Sequence, residues 1–544
     1  MRPGRWAVFA TALRGFAIAS AVSLVLAQGR SPKLMVLLVV DQMRADYIDR
    51  FQQQWTGGLH RLVTEGAWFR QVDYPYFTTV TCAGHATIST GSLPSTHGMI
   101  QNRWWDRRRQ ADVACTDDAA AAPVSYGEPL GGRGESAAAM RVPALADELR
   151  AQLSPPSRAM AFSLKARTAV TLSGRRPDAV AWFDDSGTWV SSTAFSPKPI
   201  PVVADFVTHH PVSQDFEQTW ERSLPTAAYL YDDPPPGVRV GKNMTNTFPH
   251  QLKDASPAAD AGFYDRWQSS PFADEYLARM TLDIAERLHF DRGSSNLVAI
   301  GFSTLDRVGH DFGPHSHEVQ DVLIRLDRTL DAFFRGIDRL VGAEHYTVAL
   351  SADHGVAPIL ERSRGEGLDA GRLSTSAISG AIDRAFRATL NVDIAVARVV
   401  HTEVYLRPGL FDRLMASASA TRGVRAALRA LPGVLDVYTK DRIAANQFDD
   451  DPIGRRLAHS FDRERSGDLV VVLRPYWITD PSGTSHGTAY GYDTRVPILL
   501  MGNGIAKGEY RAPASPLDIA PTLAFLAGIT LPRAQGRVLT EALR

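Results

Sequence analysis

Cysteine is scarce in this chain of 544 residues, which contains only Cys82 and Cys115. Two cysteines are too few for a fold held together by disulfides, and they lack the CxxC spacing of a thiolate metal site or a redox motif. In an oxidising compartment the two could pair, and a buried thiol at each position is the open alternative. The sequence therefore excludes a disulfide scaffold and leaves the pairing undecided.

An excess of charge of either sign is also missing, because 59 Lys and Arg residues balance 59 Asp and Glu residues. Such a chain has no overall electrostatic preference for nucleic acids, membrane surfaces or acidic polymers. The composition, with 44% hydrophobic and 22% charged residues, is that of an ordinary globular protein. We therefore predict no nucleic-acid binding and expect any anion recognition to be local.

Long apolar runs are absent after the N-terminal segment, since none reaches the roughly 18 residues that a membrane-spanning helix needs. Residues 1–27 combine Arg2, Arg5 and Arg14 with an apolar run over 16–26 and end on Val-Leu-Ala. This pattern predicts a cleaved secretory signal, and an uncleaved membrane anchor is the alternative. We expect residues 28–544 to be periplasmic or secreted, without stable membrane insertion after cleavage.

What the sequence does contain is a series of continuous apolar runs that end at polar residues. Runs over 33–40, 296–302 and 346–351 predict strands that are buried on both faces. Between two of them, residues 318–340 have apolar positions three and four apart, which predicts a helix. Strands that alternate with helices predict an α/β fold with a doubly wound, mostly parallel central sheet flanked by helices.

Two stretches have weaker strand and helix patterns, at about 170–290 and about 360–485. We interpret them as inserted cap segments of one catalytic domain that spans 28–544. Insertions of this kind usually shape access to a site, although any single loop is as readily structural.

Carboxylate and imidazole side chains follow the predicted strands. Because the carboxyl ends of parallel strands meet at one edge of a sheet, these side chains should converge although they are far apart in sequence. Oxygen and nitrogen donors without thiolate are typical of catalytic rather than structural zinc. The candidate ligands are Asp41, Asp306, His310, Asp353, His354 and the glycine-flanked His486.

The order of these residues, with Thr81 after Asp41, resembles the alkaline phosphatase superfamily. Within it the chain is similar to the secreted, phosphate-irrepressible alkaline phosphatases of bacteria. The likeness runs from the 39–44 segment Val-Val-Asp-Gln-Met-Arg, through 79–85 and 351–355, to 518–522. The resemblance implies two zinc ions per chain, one held by Asp306, His310 and His486, and one held by Asp41, Asp353, His354 and the Thr81 oxygen.

The resemblance also implies that Thr81 is the nucleophile and that a phosphothreonine forms. A threonine hydroxyl attacks poorly unless its proton is removed, and coordination to zinc removes it without a general base. The implied reaction is the hydrolysis of small phosphate monoesters with release of inorganic phosphate.

The choice of monoesters depends on Asn102, Lys165 and Arg167, which by resemblance contact the phosphoryl oxygens. A dianionic phosphoryl group benefits from cations that cover the oxygens left by the metals. If the segment were extended, Lys165 and Arg167 would point to the same face. Related diesterases typically lack this pair, which favours monoesters. A phosphodiesterase or nucleotide pyrophosphatase that acts on the same two-metal site is the alternative.

Two other classes are less well supported. A sulfatase needs Cys-x-Pro-x-Arg, and Cys82 is followed by Ala-Gly-His-Ala instead. A non-catalytic binding protein that keeps only the fold would have no need of the complete ligand set, and its metal content would identify it.

Overall fold

The computed structural model describes residues 31–238 and 244–544, and the predicted signal at 1–27 lies outside the described residues. Within them, the central sheet has ten strands and a smaller sheet has four. In chain order the strands are β1 (Leu34–Val40), β2 (Ala67–Phe69), β3 (Pro123–Ser125), β4 (Ala159–Ser163), β5 (Ala179–Phe183), β6 (Trp189–Ser192), β7 (Asn296–Phe302), β8 (Tyr346–Ser351), β9 (Val396–Val400), β10 (Glu403–Leu406), β11 (Val434–Thr439), β12 (Leu469–Leu473), β13 (Ile498–Gly502) and β14 (Gly508–Tyr510).

The central sheet is mostly parallel, which confirms the predicted fold class. Its strand order is β14-β2-β13-β8-β1-β7-β4-β5-β6-β3. The inner strands β8, β1, β7, β4 and β5 are parallel to one another, whereas β13 and β6 pair antiparallel with their neighbours. All seven residues of β1 are apolar and buried, as expected for a strand covered by helices on both faces.

The helices lie between and around these strands. In chain order they are α1 (Asp46–Phe51), α2 (Gly58–Glu65), α3 (Thr81–Thr90), α4 (Pro94–His97), α5 (Leu145–Gln152), α6 (Ala166–Ser173), α7 (Pro201–His209), α8 (Ala261–Gln268), α9 (Pro271–Arg287), α10 (Thr304–Phe312), α11 (His317–Val341), α12 (Leu360–Gly365), α13 (Thr375–Leu390), α14 (Leu410–Met415), α15 (Ala418–Arg429), α16 (Lys440–Ala445), α17 (Pro452–Ser460), α18 (Gly491–Thr494) and α19 (Ile519–Ala527).

Helix α11 matches the helix predicted over 318–340 to within one residue at each end. It begins after Ser316, whose side chain accepts a hydrogen bond from the Val319 amide at 3.2 Å and so satisfies one of the free donors of the first turn. Its apolar side chains are buried against the central core. The three-to-four spacing therefore has the expected origin in packing.

Residues 360–485, one of the two predicted insertions, contain the smaller sheet. Strands β9 to β12 pair antiparallel in the order β9-β10-β12-β11, and α13 and α15 pack on them around a separate apolar cluster. The other predicted insertion, 170–290, includes β5 and β6 of the central sheet. The division into one domain with two insertions stays a prediction.

Within the described residues, four short two-stranded pairs lie outside the two main sheets. The short pairs are Arg103–Asp106 with Ala111–Ala114, Asp117–Asp118 with Gly134–Glu135, Thr219–Trp220 with His250–Gln251, and Gly371–Arg372 with Trp477–Ile478.

None of the helices in residues 31–238 and 244–544 combines the length and the apolar character needed to span a bilayer.

Candidate active site

The candidate metal ligands converge at the carboxyl ends of β1, β7 and β8. These strands are adjacent and in register, so Val40 at the end of β1 lies beside Phe302 at the end of β7. Asp41 follows β1 directly, and its amide donates to the Phe302 carbonyl at 2.9 Å. Asp306 lies on α10, which begins after β7, and Asp353 follows β8. The expected meeting of these residues at one sheet edge is observed.

Two overlapping groups of ligand atoms form there. The side chains of Asp41, Asp353 and His354 place their ligand atoms within 4.8 Å of one another, and those of Asp306, His354 and His486 do the same. His354 belongs to both groups, and its ring stacks on that of His486 at 3.5 Å between centroids.

His310 joins the second group through Asp306. Its Nε2 atom lies 3.2 Å from Asp306 Oδ1, and His486 Nε2 lies 3.9 Å from the same oxygen. The other ring nitrogen of each histidine contacts a backbone carbonyl, Thr484 for His310 and Thr79 for His486, both at 2.8 Å. Such carbonyl contacts orient a ring so that Nε2 is presented to a ligand. The structure thus brings together all six predicted carboxylate and imidazole residues.

The charge balance of these groups fits a cation. Burial, followed by repulsion from Asp306 and Asp353, raises the pKa of Asp41 well above its usual value. Burial alone would raise the pKa of Asp306 too. The charges of Lys165 and His310 outweigh this effect and hold the pKa of Asp306 well below its usual range. Asp41 Oδ1 and His354 Nε2 face each other at 3.5 Å, and neither has a hydrogen bond within the described residues. Buried ligand atoms that have no hydrogen-bond partner are available to coordinate a metal ion.

Thr81 is the first residue of α3 and is 1% exposed. Helix α3 packs tightly against the end of β8, since a Cβ atom on Gly84 would lie 2.3 Å from the Asp353 carbonyl oxygen. His85 places Nδ1 2.9 Å from the Thr81 carbonyl oxygen and 3.2 Å from Asp353 Oδ2. The start of α3 is therefore held beside the metal-ligand groups.

Asn102 is anchored to the same helix. Its Oδ1 atom accepts a hydrogen bond from the Cys82 amide at 2.8 Å, and its carbonyl accepts from the Cys115 amide at 3.0 Å. The question left open by the sequence is resolved, because Cys82 and Cys115 form a disulfide. This bond ties the residue after Thr81 to the hairpin that follows Asn102.

Lys165 and Arg167 differ from the expectation. Helix α6 begins at Ala166, so Lys165 is the last extended residue and Arg167 lies in the first helical turn. The prediction that both side chains point to the same face required an extended segment, so it does not apply here. Lys165 is 8% exposed, and its Nζ atom contacts Asp41 Oδ2 and Asp306 Oδ2, each at 2.5 Å. Lys165 therefore neutralises carboxylates from both metal-ligand groups. Arg167 has a buried Nε atom without a hydrogen-bond partner among the described residues.

The sequence of the chain matches a known family over most of its length. The family model for type I phosphodiesterase / nucleotide pyrophosphatase covers residues 35–493. The chain belongs to this family. Among its characterised relatives, alkaline phosphatase PafA of Elizabethkingia meningoseptica is 31% identical over 524 residues, covering 94% of each chain. Alkaline phosphatase PhoV of Synechococcus elongatus is 30% identical over 523 residues, covering 94% of this chain and 93% of that one.

Solved structures agree with this assignment. The crystal structure of wild-type PafA superposes with a TM-score of 0.87 at 29% identity, covering 95% of this chain and 100% of that chain. A second structure is of a PafA variant in which a threonine, an asparagine, a lysine and an arginine are substituted, with a TM-score of 0.88. The predicted resemblance and the predicted enzyme class, a phosphatase, are confirmed. Murine ectonucleotide pyrophosphatase / phosphodiesterase 5, at 14% identity and a TM-score of 0.55, shares the fold.

Proposed function

We propose that this phosphatase hydrolyses small phosphate monoesters at a site that holds two zinc ions, with Thr81 as the nucleophile. The observation that carries the proposal is the convergence of three buried aspartates, Asp41, Asp306 and Asp353, with imidazoles at one end of the sheet. We further propose that the chain acts outside the cytoplasm, as the N-terminal sequence predicts.

The residues present divide into two ligand sets. Asp306, His310 and His486 would hold one ion, and Asp41, Asp353, His354 and the Thr81 oxygen would hold the other. When bound, the ions would neutralise the carboxylates, polarise the phosphoryl group and lower the pKa of a coordinated hydroxyl. Neutralisation of Asp41 and Asp306 would also release Lys165, which contacts both carboxylates and lies next to α6.

The reaction of Thr81 follows from its place at the start of a buried helix. Negative charge that develops on its oxygen is favoured there by the helix dipole. Thr81 Oγ1 gives its proton to solvent and bonds to phosphorus, while the bond from phosphorus to the leaving oxygen breaks and that oxygen takes a proton from water. Attack by a second water on the phosphothreonine restores Thr81 and releases inorganic phosphate.

Asn102, Lys165 and Arg167 support a monoester as the substrate. The Cys82 amide donates to Asn102 Oδ1, which leaves the Nδ2 atom of Asn102 as a donor for a phosphoryl oxygen. Lys165 and Arg167 add two positive charges, more than a diester with one negative charge needs. Substitution of a threonine, an asparagine, a lysine and an arginine in the PafA variant involves the same four residue types.

The alternative is a diesterase or nucleotide pyrophosphatase, which the name of the matching family model favours. The double variant Lys165→Ala, Arg167→Ala distinguishes the two. Hydrolysis of p-nitrophenyl phosphate should lose about 3 kcal/mol or more of transition-state stabilisation, because two donors to a dianion are removed. Hydrolysis of bis(p-nitrophenyl) phosphate should change little. An enzyme that hydrolyses the diester faster than the monoester, and keeps its monoester rate in the double variant, contradicts the proposal.

The nucleophile is tested separately by trapping. Acid quenching during turnover should leave phosphate on the peptide that contains Thr81, detected by mass spectrometry, and Thr81→Ala should abolish the adduct. Phosphate that is found reproducibly on another residue would refute the assignment.

A further inference from the structure

Gln42 contacts both groups of proposed metal ligands. It follows Asp41 and is 1% exposed. Its side-chain Nε2 donates to Asp306 Oδ1 at 2.6 Å, and its backbone amide donates to Asp353 Oδ1 at 3.1 Å. One residue therefore orients a carboxylate in each ligand set.

The backbone of Gln42 is in a conformation that residues other than glycine rarely adopt. Its φ angle is 70°, in the left-handed region. Conformations of this kind persist where the surroundings over-determine them, and they cluster at functional sites. Here the strained residue is the one whose amide and side chain each hold an aspartate.

Gly309 provides the space that the Gln42 side chain occupies. Gly309 lies on α10 between Asp306 and His310, and a Cβ atom at this position would lie 1.8 Å from Gln42 Oε1. Glycine weakens the interior of a helix, so its presence in α10 requires a local reason. The close approach of the Gln42 amide to α10 supplies that reason.

We propose that Gln42 is a positioning residue that fixes Asp306 relative to Asp353 and thereby sets the spacing of the two metal ions. The proposal rests on the proposed function, since it concerns the same two ligand sets. Residues that orient metal ligands typically contribute about 10- to 100-fold in metal affinity.

The test uses Gln42→Met, which keeps the length of the side chain and removes the amide, and Gly309→Ala, which displaces the amide without changing Gln42. Zinc affinities are measured by competition with a chromophoric chelator. In both variants, one of the two affinities should fall about 10- to 100-fold. A matched control is Gln320→Met, because Gln320 is also buried and donates to Gln54 Oε1 and the Ala228 carbonyl, at 2.8 and 3.0 Å.

Three outcomes separate the hypotheses. Selective loss of one zinc affinity in Gln42→Met and Gly309→Ala, with Gln320→Met unchanged, supports the proposal. Wild-type affinity for both zinc ions in the two variants, with only a lower melting temperature, overturns it. A wild-type chain that binds no zinc contradicts the proposed function itself.

An independent observation concerns a cleft beside the site. One wall includes Val80 and His486, and the other is formed by the four-stranded sheet. The second wall includes the hairpin turn at His401 between β9 and β10. His401 has a φ angle of 51°, which matches the left-handed conformation of tight hairpin turns. The cleft therefore adjoins the proposed ligand His486.

The polar lining of this cleft includes an amide and two carboxylates beside threonine and serine hydroxyls. Gln101 is 2% exposed, and its Oε1 atom has no hydrogen-bond partner within the described residues. Asp480 and Glu403 add carboxylates, and no lysine or arginine lines the cleft in the part of the chain that the structure describes. An unpaired buried acceptor costs free energy that a donor on a ligand would recover.

We infer that this cleft receives the leaving group and favours monoesters whose leaving group carries hydroxyl or ammonium donors over those with a carboxylate. The inference rests on the proposed function, because it assigns the leaving-group side of the same site. Like charges brought together in a cleft oppose binding, whereas a donor satisfies Gln101 and Asp480.

The test compares O-phosphoethanolamine with phosphoglycolate, which differ in an ammonium or a carboxylate on the leaving group. The ratio of their kcat/KM values should favour the amine, and Asp480→Asn should reduce this ratio about tenfold or more, as expected for loss of one close charge. Asp436→Asn is the control, since Asp436 pairs with Arg425 away from the cleft. An unchanged ratio in Asp480→Asn overturns the inference. Failure of the wild type to hydrolyse either ester contradicts the proposed function.

Discussion

The side chain of Asn102 is held in one orientation by a hydrogen bond to the backbone. Its side-chain oxygen is taken by the Cys82 amide, so the amide group cannot flip without losing a hydrogen bond. The free donors then have a defined direction relative to Thr81.

We predict that Asn102→Asp lowers kcat/KM for p-nitrophenyl phosphate by about 100- to 1000-fold, since a carboxylate keeps the bond to Cys82 but presents negative charge to the phosphoryl group. Asn102→Ala should lose less, because it removes the donor without adding repulsion. Steady-state kinetics of both variants provide the measurement. Equal losses would mean that Asn102 acts only through the structure of the hairpin.

His97 makes stability depend on pH. The ring is fully buried, with Nδ1 accepting from the Met99 amide at 3.0 Å and Nε2 at 3.1 Å from Thr87 Oγ1. Burial, and then the nearby Arg465, lower the pKa of His97 from 6.5 to about 3. The unfolded chain therefore binds more protons, and stability is lost as the pH falls from 6.5 towards 3.

From this group alone, the free energy of unfolding should be about 2 kcal/mol lower at about pH 5 than at neutral pH. His97→Gln should remove that part of the pH dependence whatever its effect on stability at neutral pH. Urea unfolding of both proteins at several pH values measures the difference. Parallel pH profiles for the wild type and the variant would contradict the assignment.

At the scale of elements, the disulfide joins α3 to the hairpin of Arg103–Asp106 and Ala111–Ala114. Its cysteines are 33 residues apart, and closing a loop of this size stabilises a fold by about 3 to 4 kcal/mol. We predict that the double variant Cys82→Ala, Cys115→Ala loses about this much in denaturant unfolding. It should also lose kcat, because Asn102 and the start of α3 are held by the same segment.

The matched comparison is chemical reduction of the wild type, which breaks the bond and keeps both side chains. Both treatments should lower stability and kcat in parallel. If kcat stays constant while stability falls, the disulfide supports the fold alone.

The elements that sequence patterns predicted well are those buried on one defined face. The pattern predicts helix α11 to within one residue of its ends because most of its apolar side chains contact the core. The segment around Lys165 was not predicted, since the switch from strand to helix at Ala166 leaves no change in hydrophobic pattern. Strand β9 lies in a region of weak pattern, because none of its residues is fully buried.

At the scale of the whole molecule, the site unites residues from Asp41 to His486. The convergence of the candidate metal ligands was predictable from their strand-end positions, because the carboxyl ends of parallel strands lie together at one edge of a sheet. The role of Gln42 was not predictable, since a left-handed glutamine has no sequence signal. Nor could the sequence reveal that Lys165 contacts Asp41 and Asp306, because those contacts depend on the packing of three strands.

We predict that removal of metal destabilises the entire domain. Without metal, the buried carboxylates of Asp306 and Asp353 repel that of Asp41, and Lys165 contacts Asp41 and Asp306 but not Asp353. Zinc at a thousandfold excess over its dissociation constant stabilises a fold by about 4 kcal/mol. Thermal unfolding with and without a chelator should show a drop that zinc reverses. An unchanged melting temperature after complete zinc removal, verified by elemental analysis, would exclude a structural contribution from the metals.

The disulfide between Cys82 and Cys115 also affects when a newly made chain can become active. A disulfide of this kind forms in an oxidising compartment and not in the reducing cytoplasm. A chain that has just been synthesised has every proposed metal ligand but lacks the disulfide beside Thr81. If the chain is exported as proposed, we therefore expect it to gain this disulfide, and the activity that depends on it, only outside the cytoplasm.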